Sequence, residues 1–171
     1  MNIILEGPDA VGKTTLAEKL RDKYNMNIYH STTETPNDLN HHINLLESTN
    51  NTVFDRFHVG EVVYPIIYNR PSKLNDNDVK IINQYIIDHN IIFIIYITSD
   101  MSIINNRLIA RGEEYYLVEM DAQNTEFSKF ADSFKKYNYD HFYVIDIAKP
   151  NAYNELDDWI TEHYNKITRD N

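Results

Sequence analysis

Five apolar runs, separated by segments of helical periodicity, organise the chain. Asn2 to Glu6, Asn27 to His30, Thr52 to Phe54, Ile91 to Thr98 and Phe142 to Ile147 read as strands. The stretch from Ile91 to Ile97 has no charged position, the pattern of a parallel strand covered on both faces. The intervening segments repeat their apolar residues every three or four positions. Thr14 to Tyr24 sets Leu16, Ala17, Leu20 and Tyr24 on one face, and Pro36 to Ser48 follows a Thr35 cap. Asn77 to His89 repeats Val79, Ile82 and Ile86, while Asp100 to Arg111 follows a Ser99 cap and stops at Gly112. Glu114 to Lys136 aligns Phe127, Phe130, Ala131 and Phe134, and Asn151 to Ile167 carries Leu156, Trp159, Ile160 and Tyr164. Strand and helix alternate throughout, which predicts a single three-layer α/β domain over residues 1–171 around a five-stranded, mainly parallel sheet. In such sheets ligands bind beyond the carboxyl ends of the strands, where Asp55 and the surroundings of His30 should converge.

The turn after the first strand carries the strongest chemical signal. Gly7-Pro8-Asp9-Ala10-Val11-Gly12-Lys13-Thr14 spells G-x-x-x-x-G-K-T between a strand and a helix. Glycines let such a loop curl, so that the amides from Gly7 through Asp9, Ala10, Val11 and Gly12 to Thr15 face a nucleotide's phosphates. The lysine reaches the β- and γ-phosphates, and the Thr14 hydroxyl is placed for Mg²⁺. The helix that follows adds its dipole to the anion site. The chain has only four glycines, and two are in this loop.

Composition narrows the partners. A formal charge of −10 lacks the basic footprint that nucleic acid or an anionic membrane would need, so small-molecule nucleotides are the expected ligands. No segment approaches a bilayer span, and a strand begins at once without a basic leader. The absence of cysteine excludes disulfides and fits a cytoplasmic setting. Abundant Asn beside scarce Gly reads as the mark of an AT-rich genome rather than a structural demand.

Three further constellations follow. Phe54-Asp55-Arg56-Phe57 ends the third strand, where Asp55 can hold Mg²⁺ directly or through water and Arg56 can grip a phosphate. Arg107 and Arg111 precede the polar break Gly112-Glu113-Glu114-Tyr115-Tyr116; together they read as a lid over about residues 107–118 whose arginines close over a transferring phosphoryl group. In the aromatic segment from Phe57 to Tyr68, Phe57 or Tyr64 could stack on a base, with core packing as the alternative, and Arg70 could help bind a phosphate. His41-His42 reads as solvated surface.

Taken together, Glu6-Gly7-Pro8-Asp9-Ala10-Val11-Gly12-Lys13-Thr14-Thr15, Asp55-Arg56-Phe57 and Arg107-x-x-x-Arg111 resemble the thymidylate kinase family of P-loop nucleoside-monophosphate kinases. The stretch Asp55-Arg56-Phe57-His58-Val59-Gly60-Glu61 looks especially like small phage-encoded members, which would place the protein in the host cytoplasm. The resemblance implies a P-loop kinase fold and transfer of the γ-phosphoryl of MgATP to a deoxynucleoside monophosphate, dTMP foremost. It further implies that Asp9 touches the acceptor's sugar 3′-hydroxyl, that Arg56 holds its phosphate and that Asp55 belongs to the Mg²⁺ network. The segment after the second strand, Ser31 to Pro36, lacks the arginine the family usually carries there. Two other readings stay open: a deoxynucleoside kinase using Glu34 as base for a sugar 5′-hydroxyl, and a P-loop NTPase switch with no small acceptor. A homodimer also stays open.

Overall fold

The computed structural model describes residues 1–32 and 34–169. Its strands are β1 (Asn2–Glu6), β2 (Asn27–His30), β3 (Thr52–Asp55), β4 (Ile92–Ile97) and β5 (Phe142–Asp146). They form one sheet in the order β2-β3-β1-β4-β5, and all four pairings are parallel. The helices are α1 (Lys13–Tyr24), α2 (Leu39–Ser48), α3 (Gly60–Ile67), α4 (Asp76–Asp88), α5 (Met101–Ala110), α6 (Leu117–Phe134) and α7 (Ala152–Arg169).

Side-chain alternation divides the core in two. Ile3 and Leu5 of β1, with Ile92, Ile94 and Tyr96 of β4, face one side and pack on α1, α5 and α7. Ile4, Phe93 and Ile95 point the other way, onto apolar residues of α2, α3, α4 and α6. All of these strand residues are fully buried, and each of the aliphatic and phenylalanine side chains contributes roughly 1.5–3 kcal/mol relative to exposure. Burial on both faces fixes the central strands, and with them the points from which the loops at their carboxyl ends depart.

Element boundaries depart from the sequence expectation where local turn chemistry intervenes. α2 begins at Leu39 rather than Pro36, because Asn37 takes a left-handed φ of 52° and Asp38 caps the helix by accepting from the His41 amide. The cap of α5 is Asp100, not Ser99. The expected long helix from Glu114 is a short 3₁₀ turn, Glu114–Tyr116, followed by α6 and a second 3₁₀ turn, Lys135–Tyr137.

Asparagine also has a structural part. Of the nine described non-glycine residues with positive φ, seven are asparagines: Asn25, Asn37, Asn51, Asn69, Asn90, Asn138 and Asn151. Asn tolerates the left-handed region because its short amide bonds locally. Here it takes turn positions that glycine commonly fills, which composition alone does not disclose.

Candidate active site

β1 and β3 run side by side, with Leu5 paired to Asp55, so the two loops that leave them lie together. Gly7 has a φ of 137°, and a Cβ there would stand 2.6 Å from the carbonyl oxygen of Tyr96, so only glycine allows the loop to cross so close to β4. Ala10 and Gly12 also take positive φ, and no described side chain caps the first turn of α1. The amides at that helix start are therefore available to an anion. Val11 is fully buried and anchors the loop in the core, whereas Thr14 and Thr15 are exposed at its rim. Lys13 is nearly buried and donates to the carbonyl of Gly7 at 2.8 Å and to that of Pro8. Burial, with Arg56 nearby, lowers its pKa to about 8.

The Thr14 hydroxyl donates to Asp55 Oδ2 at 2.6 Å, and His30 Nδ1 lies 3.2 Å from the same oxygen. Asp55 is 1% exposed, and its Oδ1 has no hydrogen-bond partner among the described residues. A hydroxyl beside a carboxylate with a spare buried oxygen is a hard-oxygen donor set, which suits Mg²⁺ better than a softer metal. Among the described residues there is no cluster of three or more acidic or histidine side chains able to cage a metal by themselves. A cation here would thus share its coordination with phosphate oxygens and water.

Two clefts meet at this point. One, of about 280 Å³, is lined by the loop residues Asp9, Ala10, Gly12, Lys13, Thr14 and Thr15 together with Arg56, Arg111, Glu113 and Tyr116. The other, of about 370 Å³, is lined by Asp9, Arg56, Phe57, Gly60, Glu61, Tyr64, Tyr68, Arg70 and Tyr116 together with Ser31, Thr32 and Asn37. Asp9, Arg56 and Tyr116 belong to both. Arg56 and Asp9 form an ion pair at this junction. Arg56 has a left-handed φ of 69°, a conformation that costs a residue with a Cβ about 1–3 kcal/mol.

The remaining expected residues are distributed as follows. Arg70 is held end-on by Glu61, with contacts of 2.9 and 3.0 Å, on the wall of the second cleft. Burial opposes the Glu61 charge, but Arg70 and the Lys73 amide hold its carboxyl below the usual range. Phe57 is almost wholly buried against Phe54 and His42, so it offers the cleft little surface. Tyr64 lines the same cleft with Tyr68 stacked beside it, their rings 6.1 Å apart. Arg111 lines the loop cleft, whereas Arg107 does not; it donates to the Ala10 carbonyl and the Tyr153 hydroxyl at 3.0 Å each, and lines a neighbouring cleft with Gly12, Thr15 and Arg111. Glu34 is exposed and does not line either cleft.

Several participants carry no advance signal in the sequence. Tyr153, on α7, donates to the Val11 carbonyl and so braces the loop. Gln123, on α6, accepts from the Asp9 amide at 3.4 Å and is fully buried. His42 is the clearest reversal. Expected on the surface, it is 1% exposed, its ring bonded to the Asp38 carbonyl and packed edge-on against Phe57 beneath the second cleft.

A phosphate-binding loop, its lysine, a strand-end aspartate and a parallel sheet in this order define a P-loop kinase fold. The chain is 32% identical over 118 residues to the SPbeta prophage-derived uncharacterized protein YorR of Bacillus subtilis (strain 168), covering 66% of this chain and 70% of YorR. It belongs to the YorR family. A crystal structure of Bacillus subtilis YorR in complex with phosphorylated GDP superposes with a TM-score of 0.75 at 26% identity, over 94% of each chain. Deoxyadenosine kinase from M. mycoides with bound dCMP and dCDP shares the fold at a TM-score of 0.58 and 18% identity, over the whole of both chains. Shikimate kinase from Acinetobacter baumannii in complex with shikimate does so at 0.55 and 14%, covering 96% of this chain and 93% of that one. No family model matches the chain. No described helix is long and apolar enough to cross a membrane.

Proposed function

We propose that the protein transfers the γ-phosphoryl of MgATP to a deoxynucleoside monophosphate, with dTMP as the first acceptor to examine. The observation that carries this reading is the junction of the two clefts, where Asp9, Arg56 and Tyr116 line both. A hydrolytic switch needs one nucleotide cleft, whereas a transferase needs two that open onto each other.

The loop amides and Lys13 would hold the donor's phosphates, with Thr14 and Asp55 holding the cation. Bound there, Mg²⁺ would neutralise phosphate charge as it develops. Arg56 sits where the two clefts meet and can grip an acceptor phosphate while Asp9 fixes its guanidinium plane. Arg111, on the rim of the loop cleft, supplies charge to the transferring group; Arg107 would reach it only by leaving Ala10 and Tyr153. Catalysis then comes from alignment and charge neutralisation rather than covalent chemistry.

The state of the carboxylates supports a phosphorylated acceptor over a nucleoside. A sugar hydroxyl requires a base. Both acidic residues of the acceptor cleft are engaged by arginine, Asp9 by Arg56 and Glu61 by Arg70, and Glu34 lies outside it. The phosphorylated GDP held by YorR puts guanine nucleotides beside dTMP among acceptors to examine.

A coupled assay of ADP release across common nucleosides and their monophosphates tests the reading. Monophosphates should turn over and nucleosides should not. Arg56→Ala should lose about 100-fold or more in kcat/KM for the acceptor. Turnover of nucleosides alone, abolished in Glu34→Gln, would replace this reading with the nucleoside kinase.

A further inference from the structure

Glu6 closes β1 one residue before the phosphate-binding loop and is fully buried. Its Oε1 accepts from two backbone amides, Phe57 at 2.9 Å and Val59 at 2.8 Å. Those amides belong to the turn that follows Arg56, and the Arg56 amide itself donates to the Leu5 carbonyl at 3.0 Å. The turn is thus tied to β1 at three points around a residue whose φ is 69°. A left-handed residue with a Cβ relaxes unless its surroundings over-determine it, and these three bonds do so.

The other carboxyl oxygen of Glu6 has no hydrogen-bond partner among the described residues. A strand end in an apolar core gains nothing in stability from a half-satisfied carboxyl, so its value lies in the two amides it holds. Accepting them takes a lone pair rather than a charge. Burial raises the Glu6 pKa to about 7, and the protonated acid still offers one carbonyl oxygen. Glutamine presents that same oxygen at the same reach, whereas aspartate is one methylene short.

We propose that Glu6 is a positioning residue for acceptor binding: its carboxyl oxygen fixes the turn from Phe57 to Val59, so that Arg56 stays left-handed and its guanidinium remains beside Asp9 at the junction of the clefts. This rests on the acceptor-cleft reading above. Neither the phosphate-loop motif nor the strand-end Asp-Arg pair gives Glu6 this part.

Steady-state kinetics at saturating ATP, varying the acceptor, compare wild type with Glu6→Ala, Glu6→Asp and Glu6→Gln. The Ala and Asp variants should raise the acceptor KM about tenfold or more while the ATP KM stays within about twofold, and Gln should recover to within about threefold of wild type. In an Arg56→Ala background, Glu6→Ala should add no further change in acceptor KM, because both act through one guanidinium. Independent, multiplying effects in the double variant would overturn the proposal, as would a Gln variant as impaired as Ala. Should the Ala variant fail to fold, the Asp variant carries the same comparison. Crystal structures of the Gln and Asp variants read Arg56 directly: left-handed in Gln, relaxed in Asp. An Arg56 unmoved in Asp overturns the proposal even if wild type phosphorylates no monophosphate, an outcome that would separately defeat the acceptor reading.

Discussion

The Thr14 hydroxyl and the Asp55 carboxylate are joined at 2.6 Å across 41 residues of chain. The pairing of β1 with β3 makes this contact, since it brings the end of one strand beside the loop that leaves the other. Asp55 also has a buried oxygen with no hydrogen-bond partner among the described residues, which leaves it a lone pair to offer a cation. Asp55→Asn removes the charge and keeps the shape. The Mg²⁺ concentration for half-maximal turnover should rise about 10- to 100-fold, read from a Mg²⁺ titration at fixed ATP. An unchanged titration would move the cation elsewhere.

Lys13 gives a pH signature. Burial, aided by Arg56, lowers its pKa to about 8, so the free protein loses this cation as pH rises past that value. For ATP, kcat/KM should therefore fall about tenfold per pH unit above 8, while kcat falls at higher pH because bound phosphate holds the proton on. A pH profile of both parameters checks this, and a flat kcat/KM up to pH 9.5 would contradict it.

Gly7 offers a stability measurement. An added Cβ would sit 2.6 Å from a backbone oxygen, at a φ of 137°. Gly7→Ala should destabilise by roughly 2–5 kcal/mol, lowering Tm by about 5–15 °C in a chain of this size. Thermal melts of the two proteins suffice.

Glu6 makes stability depend on pH in an unusual direction. Its folded pKa, about 7, lies above the ordinary 4.5 of a glutamate in the unfolded chain, so the folded state binds the extra proton between those values. Stability from this group is full below about pH 4.5 and declines as pH rises towards 7, by on the order of 3 kcal/mol. Urea unfolding from pH 4.5 to 8 should show wild type losing stability relative to Glu6→Gln across that window. Parallel curves would mean the carboxyl titrates normally.

Much of the architecture is legible in the sequence because the signals are local and redundant. The apolar run through Ile92–Ile97 had to be a covered strand, and the first loop carries its spacing openly. Boundaries were less legible: the start of α2 depends on one residue, Asn37, adopting a left-handed turn that periodicity does not register. The site follows the same division. Lys13, Thr14, Asp55 and Arg56 are announced by short motifs and converge as the topology requires. Tyr153, Gln123 and His42 come from helices whose sequence spacing reads as ordinary surface or core, and only packing brings them to the loop or beneath the cleft. Arg107 belongs to a third kind: its helix is evident, but its contact with Ala10 and Tyr153 depends on where α7 docks.

The asparagine corners have a consequence for durability. Compared with glycine, each Cβ leaves the unfolded chain fewer states to explore, which offsets part of the cost of a left-handed φ. Side-chain amides are also among the groups most readily destroyed by heat. Prolonged warming therefore has a route to permanent loss besides melting: hydrolysis at the bends, which refolding cannot repair.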